Sequence, residues 1–290
     1  MSTMIEQIKV LRDRTGAGMM DCKHALEETN GDIEKAIDWL REKGIAKAAK
    51  KQGRIAAEGL TTVKICEHCH KAVILEINCE TDFVAGSDAF KDLVQASADK
   101  VLAEKPANLD EAIALTQPLF DEASLKLGEK LSFRRFEIVD PEGHAVDSYK
   151  HMGGKISVIT VLEKDDPEIA HGISMTVAAS TPSYVSLADV PAEVFEAEKK
   201  VQVELAKQDP KLAGKPEAAL EKILEGKVNK ALSAQVLEKQ DYILDPSKTV
   251  EQLLKERNNK LLKFVCYKVG EGLEKRKDDF AAEVAAQANR

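Results

Sequence analysis

The sequence predicts an α+β fold, with helical segments on either side of a β-rich middle. Apolar residues follow the 3.6-residue period of a helix up to residue 44, and again from residue 191 to residue 232. Between residues 59 and 162, several runs change to the period near 2 that is typical of strands. The 290 residues are enough to bury more than one core. We therefore expect helical and sheet-containing parts that follow one another along the chain.

Residues 1–44 predict a compact bundle of three short helices. The first helix is expected to end at Gly16 and the third at Gly44, because glycine readily adopts the left-handed turn after a helix. The second spans about Met19–Glu28. Such a bundle carries no obvious catalytic group and suits a docking role. Residues 41–54 are rich in lysine and arginine and predict a solvated basic linker, with an anion site as the alternative.

The β-rich middle opens with a predicted hairpin. Residues 60–65 and 72–77 are rich in residues that favour strands, and the tip between them is Cys66–Lys71. Two helices are expected next, over about 88–102 and 109–127, because their apolar residues recur on one face.

A similar order follows in the second half of the middle. Strands are predicted over residues 131–139 and 155–162, and a helix opens at Asp166-Pro167. Lys71–Ser97 and Lys155–Ser180 share the order strand, acidic turn, helix. This indicates a weak internal duplication, with chance similarity as the alternative. If the duplication is real, the core consists of two similar sheet-and-helix subdomains.

After Pro191 the pattern predicts two charged helices joined by a Pro/Gly turn, which together form an antiparallel helical hairpin. A hairpin folded flat on the body and a projecting arm both fit this pattern. The rest of the chain predicts a helix over Thr249–Arg257, a strand over Leu261–Val269 and a terminal helix over Asp278–Ala288.

Composition and charge exclude several classes of protein. The chain has 42 Lys and Arg against 50 Asp and Glu, a net charge of −8, so it lacks the global positive field of a nucleic-acid wrapper. No apolar run is long enough to span a membrane, and the first residues do not form an export signal. The five cysteines are odd in number and widely spread, which favours a reducing compartment. We expect a cytoplasmic protein with no nucleic-acid or membrane partner.

Catalytic motifs are absent from the sequence. It contains no Gly-x-Ser-x-Gly elbow, no phosphate-binding loop and no GxGxxG fingerprint after a strand. We expect no catalytic residue and no cofactor. Cys66-x-x-Cys69-His70 resembles half of a zinc site, but a structural zinc needs four ligands and only Cys79 is close in sequence. A plain hairpin tip without metal is favoured, and metal binding stays the alternative.

One corner is unusual for a protein core. Asp82 and Phe83 are adjacent at the end of a predicted strand, so a carboxylate and a large ring leave the chain together. A helix N-cap with a hydrophobic staple would explain this pattern and is favoured on composition alone. A wedge presented to a partner is the alternative.

Several longer motifs occur in a consistent order along nearly the whole chain. They are Arg14-Thr-Gly-Ala-Gly-Met-Met-Asp-Cys-Lys23, Asn30-Gly-Asp32, Lys47-Ala-Ala-Lys-Lys51, Asn78-Cys79, Thr81-Asp-Phe-Val-Ala85, Ser148-Tyr-Lys-His151 with Gly153-Gly154, Pro246-Ser-Lys-Thr-Val250, Val269-Gly-Glu-Gly272 and Asp279-Phe-Ala-Ala-Glu-Val284. In this order they resemble the translation elongation factor Ts family. Glu80 departs from the glutamine expected there, which adds a second carboxylate near Asp82.

The resemblance implies a ubiquitin-associated-like (UBA-like) N-terminal bundle, a two-part core, a projecting coiled-coil hairpin and a C-terminal helical module. The expected division is residues 1–55 for the bundle and linker, 56–142 and 143–264 for the two core subdomains, and 265–290 for the C-terminal module, with the hairpin inserted at about residues 190–236.

The resemblance also implies guanine nucleotide exchange on elongation factor Tu, with no covalent chemistry by the factor. Thr81, Asp82, Phe83 and Val84 would displace magnesium from the GTPase, with Phe83 as a wedge between its helices. The residues implied to bind the partner are Arg14, Thr15, Gly16, Gly18 and Lys23 in the bundle, with Leu127, Gly128 and His151 in the core. A 2:2 complex or a homodimer of the factor is left open.

Two other functions stay open on the sequence. An adaptor could bind ubiquitin-like domains through the N-terminal bundle alone. A metal-binding protein or metal-dependent enzyme could use Cys66, Cys69, His68 and His70 at the hairpin tip.

Overall fold

The computed structural model describes residues 3–50, 53–207 and 217–274. Helices and antiparallel sheets alternate along these residues, which confirms the predicted α+β class. The predicted Pro/Gly turn of the helical hairpin and the predicted terminal helix at 278–288 lie outside the described residues.

The N-terminal bundle contains α1 (Met4–Thr15), α2 (Met19–Glu28) and α3 (Ile33–Lys50). Thr3 caps α1 through a capping box with Glu6, and Gly16 ends it with a φ of 67°. The bundle has its own small core, formed by Leu11, Ala17, Cys22, Ala25, Leu26, Ala36 and Leu40.

The prediction that α3 ends at Gly44 is wrong, because the helix continues to Lys50. Gly44 is buried, and a Cβ atom added there would lie 2.3 Å from a methyl carbon of Leu125. Glycine is needed here because α3 packs closely against the helix that carries Leu125, and the left-handed turn that the sequence suggested is not formed.

The first sheet has the order β1-β2-β3, with all neighbours antiparallel. Its strands are β1 (Glu58–Ile65), β2 (Ala72–Cys79) and β3 (Ser132–Val139), and the helices between β2 and β3 are α4 (Asp82–Gly86), α5 (Asp88–Glu104) and α6 (Leu109–Leu127). Alternate residues of β2, such as Val73 and Leu75, pack against α5 and α6 on the outer face of this sheet.

The second sheet has the order β4-β5-β8 and is also antiparallel. Its elements, with the helices and short strands inserted between β5 and β8, are β4 (Ala145–His151), β5 (Ile156–Leu162), α7 (Pro167–Ser180), α8 (Ala192–Lys207), α9 (Glu217–Leu232), β6 (Asp241–Tyr242), β7 (Asp245–Thr249), α10 (Val250–Glu256) and β8 (Leu261–Lys268). Helix α7 covers its outer face.

The inner faces of the two sheets pack against each other. Apolar side chains from both sheets, including Ile74 and Ile159, form a shared buried cluster. Thr61 binds across the interface, donating from its backbone N–H to the Gly154 carbonyl at 2.7 Å and from its hydroxyl to Ser157 Oγ at 2.8 Å. In each sheet the central strand is followed by a helix on the outer face, which is the order the sequence suggested for both halves.

A buried carboxylate joins the same two sheets. Glu76 on β2 is fully buried and accepts hydrogen bonds from Arg134 Nη1 at 2.9 Å and Arg135 Nε at 2.7 Å. It also accepts from the Asn78 side chain and from the Gly270 backbone N–H, which follows β8 of the second sheet. Because each oxygen of this buried charge has donors, the cluster holds the two sheets in a defined relation.

Helices α8 and α9 contact each other as the predicted antiparallel hairpin. Its base is buried at Val228 and Leu232. Further along, Val201 and Leu205 on α8 are about half exposed, so this stripe is not covered by the sheets. The projecting hairpin that the resemblance implies stays a prediction.

The second sheet differs from the sequence prediction in two places. Strand β4 was not predicted, because the mixed sequence of Ala145–His151 lacks the alternation of a half-buried strand. The strand forms because β5 pairs with it. Strand β8 continues to Lys268 across the boundary expected between residues 264 and 265. That boundary would cut a strand bonded to β5, so the core must extend at least to the end of β8.

Candidate functional site

The chain turns sharply where β2 ends and α4 begins. Thr81 is the N-cap of α4, with extended backbone (φ −127°, ψ 155°), and its hydroxyl accepts a hydrogen bond from the Val84 N–H. After only five residues α4 ends at Gly86, and Ser87 caps the next helix. The predicted cap is confirmed, and it directs residues 82 and 83 away from the strand.

Glu129 fixes the backbone of this corner through hydrogen bonds. Its Oε2 accepts the backbone N–H groups of Glu80 at 2.9 Å and Thr81 at 3.0 Å, and its Oε1 accepts the Thr81 hydroxyl at 2.6 Å. Glu129 lies just after α6, 48 residues from Thr81. A single carboxylate thus orders both the end of β2 and the cap of α4.

Glu80 completes a reciprocal arrangement. Its carboxylate accepts the Lys130 backbone N–H at 2.7 Å and pairs with Arg54 at 3.3 Å. Residues 80–81 and 129–130 therefore bind each other in both directions, and we call these two segments the corner clasp. The unexpected Glu80 takes part in the clasp, and its carboxylate points toward the chain after α6.

The residues beyond the clasp face solvent. The Phe83 side chain is 86% exposed, whereas Ala85 is buried and Val84 packs partly on the first core. The Asp82 carboxylate is exposed and makes no hydrogen bond or ion pair with any residue that the structure describes. The predicted hydrophobic staple is wrong for Phe83, because its ring contributes almost nothing to the core.

The Arg14–Gly18 loop is ordered by local contacts. Arg14 forms a two-pronged ion pair with Glu34, with Nη1–Oε1 at 2.6 Å, and this pairing raises the pKa of Arg14 and lowers that of Glu34. The Thr15 hydroxyl donates to the Leu11 carbonyl and accepts from the Ala17 N–H. Gly18 is the N-cap residue of α2.

The surface that follows this loop is apolar with one paired lysine. Met19 and Met20 open α2 and are exposed. Lys23, one turn further along, lies 3.6 Å from Glu27 on the same helix. These residues form an accessible face next to the loop.

The end of α6 lies between the bundle and the corner. Gly16 lies against it, since a Cβ atom added to Gly16 would be 2.6 Å from Lys126 Cγ. Leu127 packs partly on the first core, and Gly128 ends α6 with a φ of 69°. A cavity of about 220 Å³ lies beside the contact between α3 and α6 and is lined by residues that include Trp39 and Gly128.

His151 lies in the other sheet, at the end of β4. Its Nδ1 is 3.1 Å from the Tyr149 hydroxyl. The turn after it is tied to the first sheet, because Lys155 Nζ donates to Glu58 Oε2 at 2.8 Å. Glu58 is paired in register with Cys79, two residues before the corner. His151 therefore lies at the same end of the two sheets as the corner.

Comparison with known proteins gives this arrangement its context. A family model described as elongation factor TS matches residues 80–271, which include α4 at the corner, strand β3 of the first sheet and all three strands of the second. One relative, elongation factor Ts of Acholeplasma laidlawii (strain PG-8A), is 46% identical over 298 aligned residues that cover 100% of each chain. The chain belongs to the elongation factor Ts family.

Membership of the elongation factor Ts family confirms the resemblance seen in the sequence and places the chain among translation elongation factors. Three of the expected site segments are neighbours through residues 126–130: the Arg14–Gly18 loop, Leu127-Gly128 and Thr81–Val84. His151 stands apart from them. Glu129 and Lys130 were missed, because nothing local in the sequence links them to a corner almost fifty residues earlier.

Among the residues that the structure describes, no group of three or more His, Cys, Asp or Glu side chains is placed to bind a metal ion. Cys79, considered as a third ligand beside Cys66 and Cys69, lies at the opposite end of β2 from the hairpin tip. Among residues 3–50, 53–207 and 217–274, no helix is both long and apolar enough to cross a membrane.

Proposed function

We propose that this chain is a guanine nucleotide exchange factor, which binds GDP-bound elongation factor Tu and promotes GDP release without covalent chemistry of its own. The observation that carries the proposal is Phe83, whose ring is 86% exposed on a corner held by the clasp. A large ring at this exposure gains nothing for the fold, so its placement suits insertion into another surface.

The rigidity of the corner supports a wedge. Three hydrogen bonds from Glu80 and Thr81 to Glu129, together with the cap of α4, hold the backbone before the partner arrives. Less conformational entropy is then lost on binding, which leaves more of the contact energy for the complex. Burying one phenylalanine ring contributes about 1.5–3 kcal/mol.

Asp82 supplies the electrostatic part of the proposal. Its carboxylate lies one residue before the ring and has no partner among the described residues, so it reaches the partner's nucleotide site unneutralised. Magnesium bound to a nucleotide keeps several waters and bridges the phosphates. A carboxylate that disturbs those waters weakens the ion's hold. Thr81–Val84 would act in this way to displace magnesium.

The energy involved requires more than this corner. Accelerating GDP release by about 10³ to 10⁵ means lowering its barrier by about 4–7 kcal/mol. One ring and one carboxylate supply only part of that. Thermodynamic linkage also requires that the factor and GDP weaken each other's binding to elongation factor Tu by the same free energy, so the factor must itself bind tightly. A broad interface is therefore needed.

Surfaces on both sides of the corner suit this wider interface. The Arg14–Gly18 loop and Lys23 lie beside exposed methionines on the bundle, and Leu127-Gly128 lies between the bundle and the corner. His151 offers a second contact on the other sheet. We assign these residues to docking on elongation factor Tu.

Release of fluorescent GDP from purified elongation factor Tu tests the proposal. Micromolar wild-type factor should accelerate release, and no acceleration would sink the proposal. Repeating the assay after chelation of magnesium tests the mechanism. If displacement of the ion is a main step, the factor's relative acceleration should shrink when the ion is already absent. An undiminished acceleration would show that magnesium displacement is not the route.

A further inference from the structure

The tip of the β1–β2 hairpin carries a cysteine pair that the proposed function does not use. Cys66 follows β1, and Cys69 lies three residues later, close to the start of β2. The Cys69 side chain is exposed and Cys66 is half-buried, with part of it against the first core. These two residues are called the tip dithiol.

The backbone brings the two thiols together. Cys66 donates its N–H to the Lys71 carbonyl at 2.8 Å, and its own carbonyl accepts the His70 N–H at 2.9 Å. His70 adopts a left-handed conformation with a φ of 54°. In so tight a turn, Cα atoms three residues apart lie within about 7 Å, which is the range that a disulfide requires.

The contacts of the sulfur atoms agree with this geometry. The Cys69 N–H donates to Cys66 Sγ at 3.3 Å, so the backbone of one cysteine contacts the sulfur of the other. The Cys69 thiol, followed by the backbone N–H groups of Cys69 and His68, lowers the pKa of Cys66 from its ordinary value. A larger fraction of Cys66 is therefore thiolate than in an ordinary cysteine, and the thiolate is the form that attacks a disulfide.

The other three cysteines provide a contrast within the same chain. Burial raises the pKa of Cys22, and it raises the pKa of Cys79 to about 12 and that of Cys266 to about 11. A buried thiol that stays protonated reacts slowly with disulfides. Reactivity toward thiol reagents is thus concentrated at the tip.

We propose that Cys66 and Cys69 form a reversible intramolecular disulfide by exchange with a small-molecule disulfide. The Cys66 thiolate attacks one sulfur of the reagent, forms a mixed disulfide and releases one small thiolate. Cys69 then loses its proton to solvent and attacks the Cys66 sulfur, which forms the protein disulfide and releases the second small thiolate. The two cysteines are oxidised and the reagent is reduced to two thiols.

This site is separate from the exchange surface. Strand β2 runs its full length between the tip and the corner, a distance of roughly 25 Å at about 3.3 Å per residue. The proposal does not depend on activity toward elongation factor Tu, because its readout is the chemical state of the cysteines.

The test uses the reduced full-length protein and oxidised glutathione as the probe. After incubation, free thiols are blocked with a maleimide in denaturant, and the peptides are weighed. We expect the tip peptide to lose two hydrogen atoms and take up no maleimide, while the peptides of Cys22, Cys79 and Cys266 are labelled. Reductant should restore labelling at the tip.

Two variants sharpen the result. Cys69→Ser leaves Cys66 without a resolving thiol and should accumulate the mixed disulfide with glutathione. The matched control His68→Ser changes an exposed residue of the same turn and should still close the internal disulfide. The proposal is overturned if the wild-type tip keeps two free thiols in excess oxidised glutathione. It is also overturned if the main product is a dimer linked between chains, or if stoichiometric metal already blocks both thiols.

Discussion

Thr81 and Glu129 are 48 residues apart in sequence and are joined by a hydrogen bond of 2.6 Å between the hydroxyl and the carboxylate. The same carboxylate also accepts the Thr81 backbone N–H. This pair converts a strand end into a fixed support for the exposed Asp82 and Phe83. Residues that hold the corner are thus distinct from the residues that the corner presents to solvent.

Glu129→Ala should slow nucleotide exchange about tenfold, because the corner loses its acceptor and the wedge is no longer held in place. Leaving the donors of Glu80 and Thr81 unpaired should also cost about 1–3 kcal/mol of unfolding free energy. Glu129→Gln keeps a carbonyl acceptor and should restore most of both losses. Exchange kinetics and urea unfolding measure the two effects. Normal exchange by the alanine variant would show that the clasp does not position the wedge.

Phe83→Ala should reduce exchange by roughly 30-fold, as expected for loss of about 2 kcal/mol at an interface anchor. The free energy of unfolding should change by less than about 0.5 kcal/mol, because the ring is exposed. Phe90→Ala is the matched control, since Phe90 is fully buried in the first core. It should lose about 3–5 kcal/mol of stability. If both variants lose stability equally, Phe83 belongs to the fold and the wedge is wrong.

Asp82→Asn should slow exchange while leaving thermal unfolding nearly unchanged, because only an exposed carboxylate in the first turn of α4 loses its charge. Glu80→Gln removes a charge two residues earlier, within the clasp. Its amide oxygen can still accept the Lys130 N–H, so exchange should remain near the wild-type rate. Similar losses in the two variants would mean that the overall charge of the corner matters and that Asp82 has no special role.

Glu76→Gln should destabilise the protein by about 3–5 kcal/mol, because it leaves two arginines beside a buried site without their carboxylate. The matched control is Glu137→Gln, which breaks a pair with Lys263 at a partly exposed site. That loss should be within about 1 kcal/mol. Chemical unfolding of both variants gives the comparison. A small loss for Glu76→Gln would show that the buried cluster does not join the sheets.

Asp147→Asn should raise the thermal midpoint at neutral pH. Burial raises the pKa of Asp147, although the Ser174 hydroxyl and nearby His171 oppose this shift. A carboxyl with a raised folded pKa favours folding while protonated, and this advantage is lost as pH rises through the folded pKa. The gain of the variant should therefore shrink as pH falls through that value.

Asp140→Asn is the control with the opposite sign. A hydrogen bond from Lys71 lowers the pKa of Asp140, so its contribution is present above the unfolded pKa and lost as pH falls through the folded one. Replacing it should lower the midpoint slightly at neutral pH. If both asparagine variants shift the midpoint in the same direction at neutral pH, the assignment of burial as the cause at Asp147 fails.

Much of the fold was predictable because its signals are local. The local sequence pattern located α2 and α6 at the bounds that the structure shows, and alternation located β1, β2 and β5 within a few residues. Strand β4 was missed because the residues of an irregularly patterned strand are stabilised mainly by the neighbour that pairs with them.

The candidate site divides in the same way. The motif Thr81–Val84 and the loop Arg14–Gly18 could be named from the sequence, and their proposed roles await the exchange measurements. The sequence also left a cap-and-staple and a wedge as alternatives at Phe83. The exposed fraction of the ring excludes the hydrophobic staple. This exposure could not be predicted from the sequence, because it depends on every segment that folds nearby.

The sequence by itself determined the α+β class, most of the order of helices and strands, and the family, since periodicity, capping and motifs are properties of neighbouring residues. The tertiary structure decided which distant residues meet. It made Gly44 a close-packing residue, placed Glu76 between the sheets, and set Glu129 under Thr81. A carboxylate can accept a hydrogen bond from almost any nearby donor. The residues next to it in sequence therefore do not indicate which distant donor will lie within hydrogen-bond distance after folding.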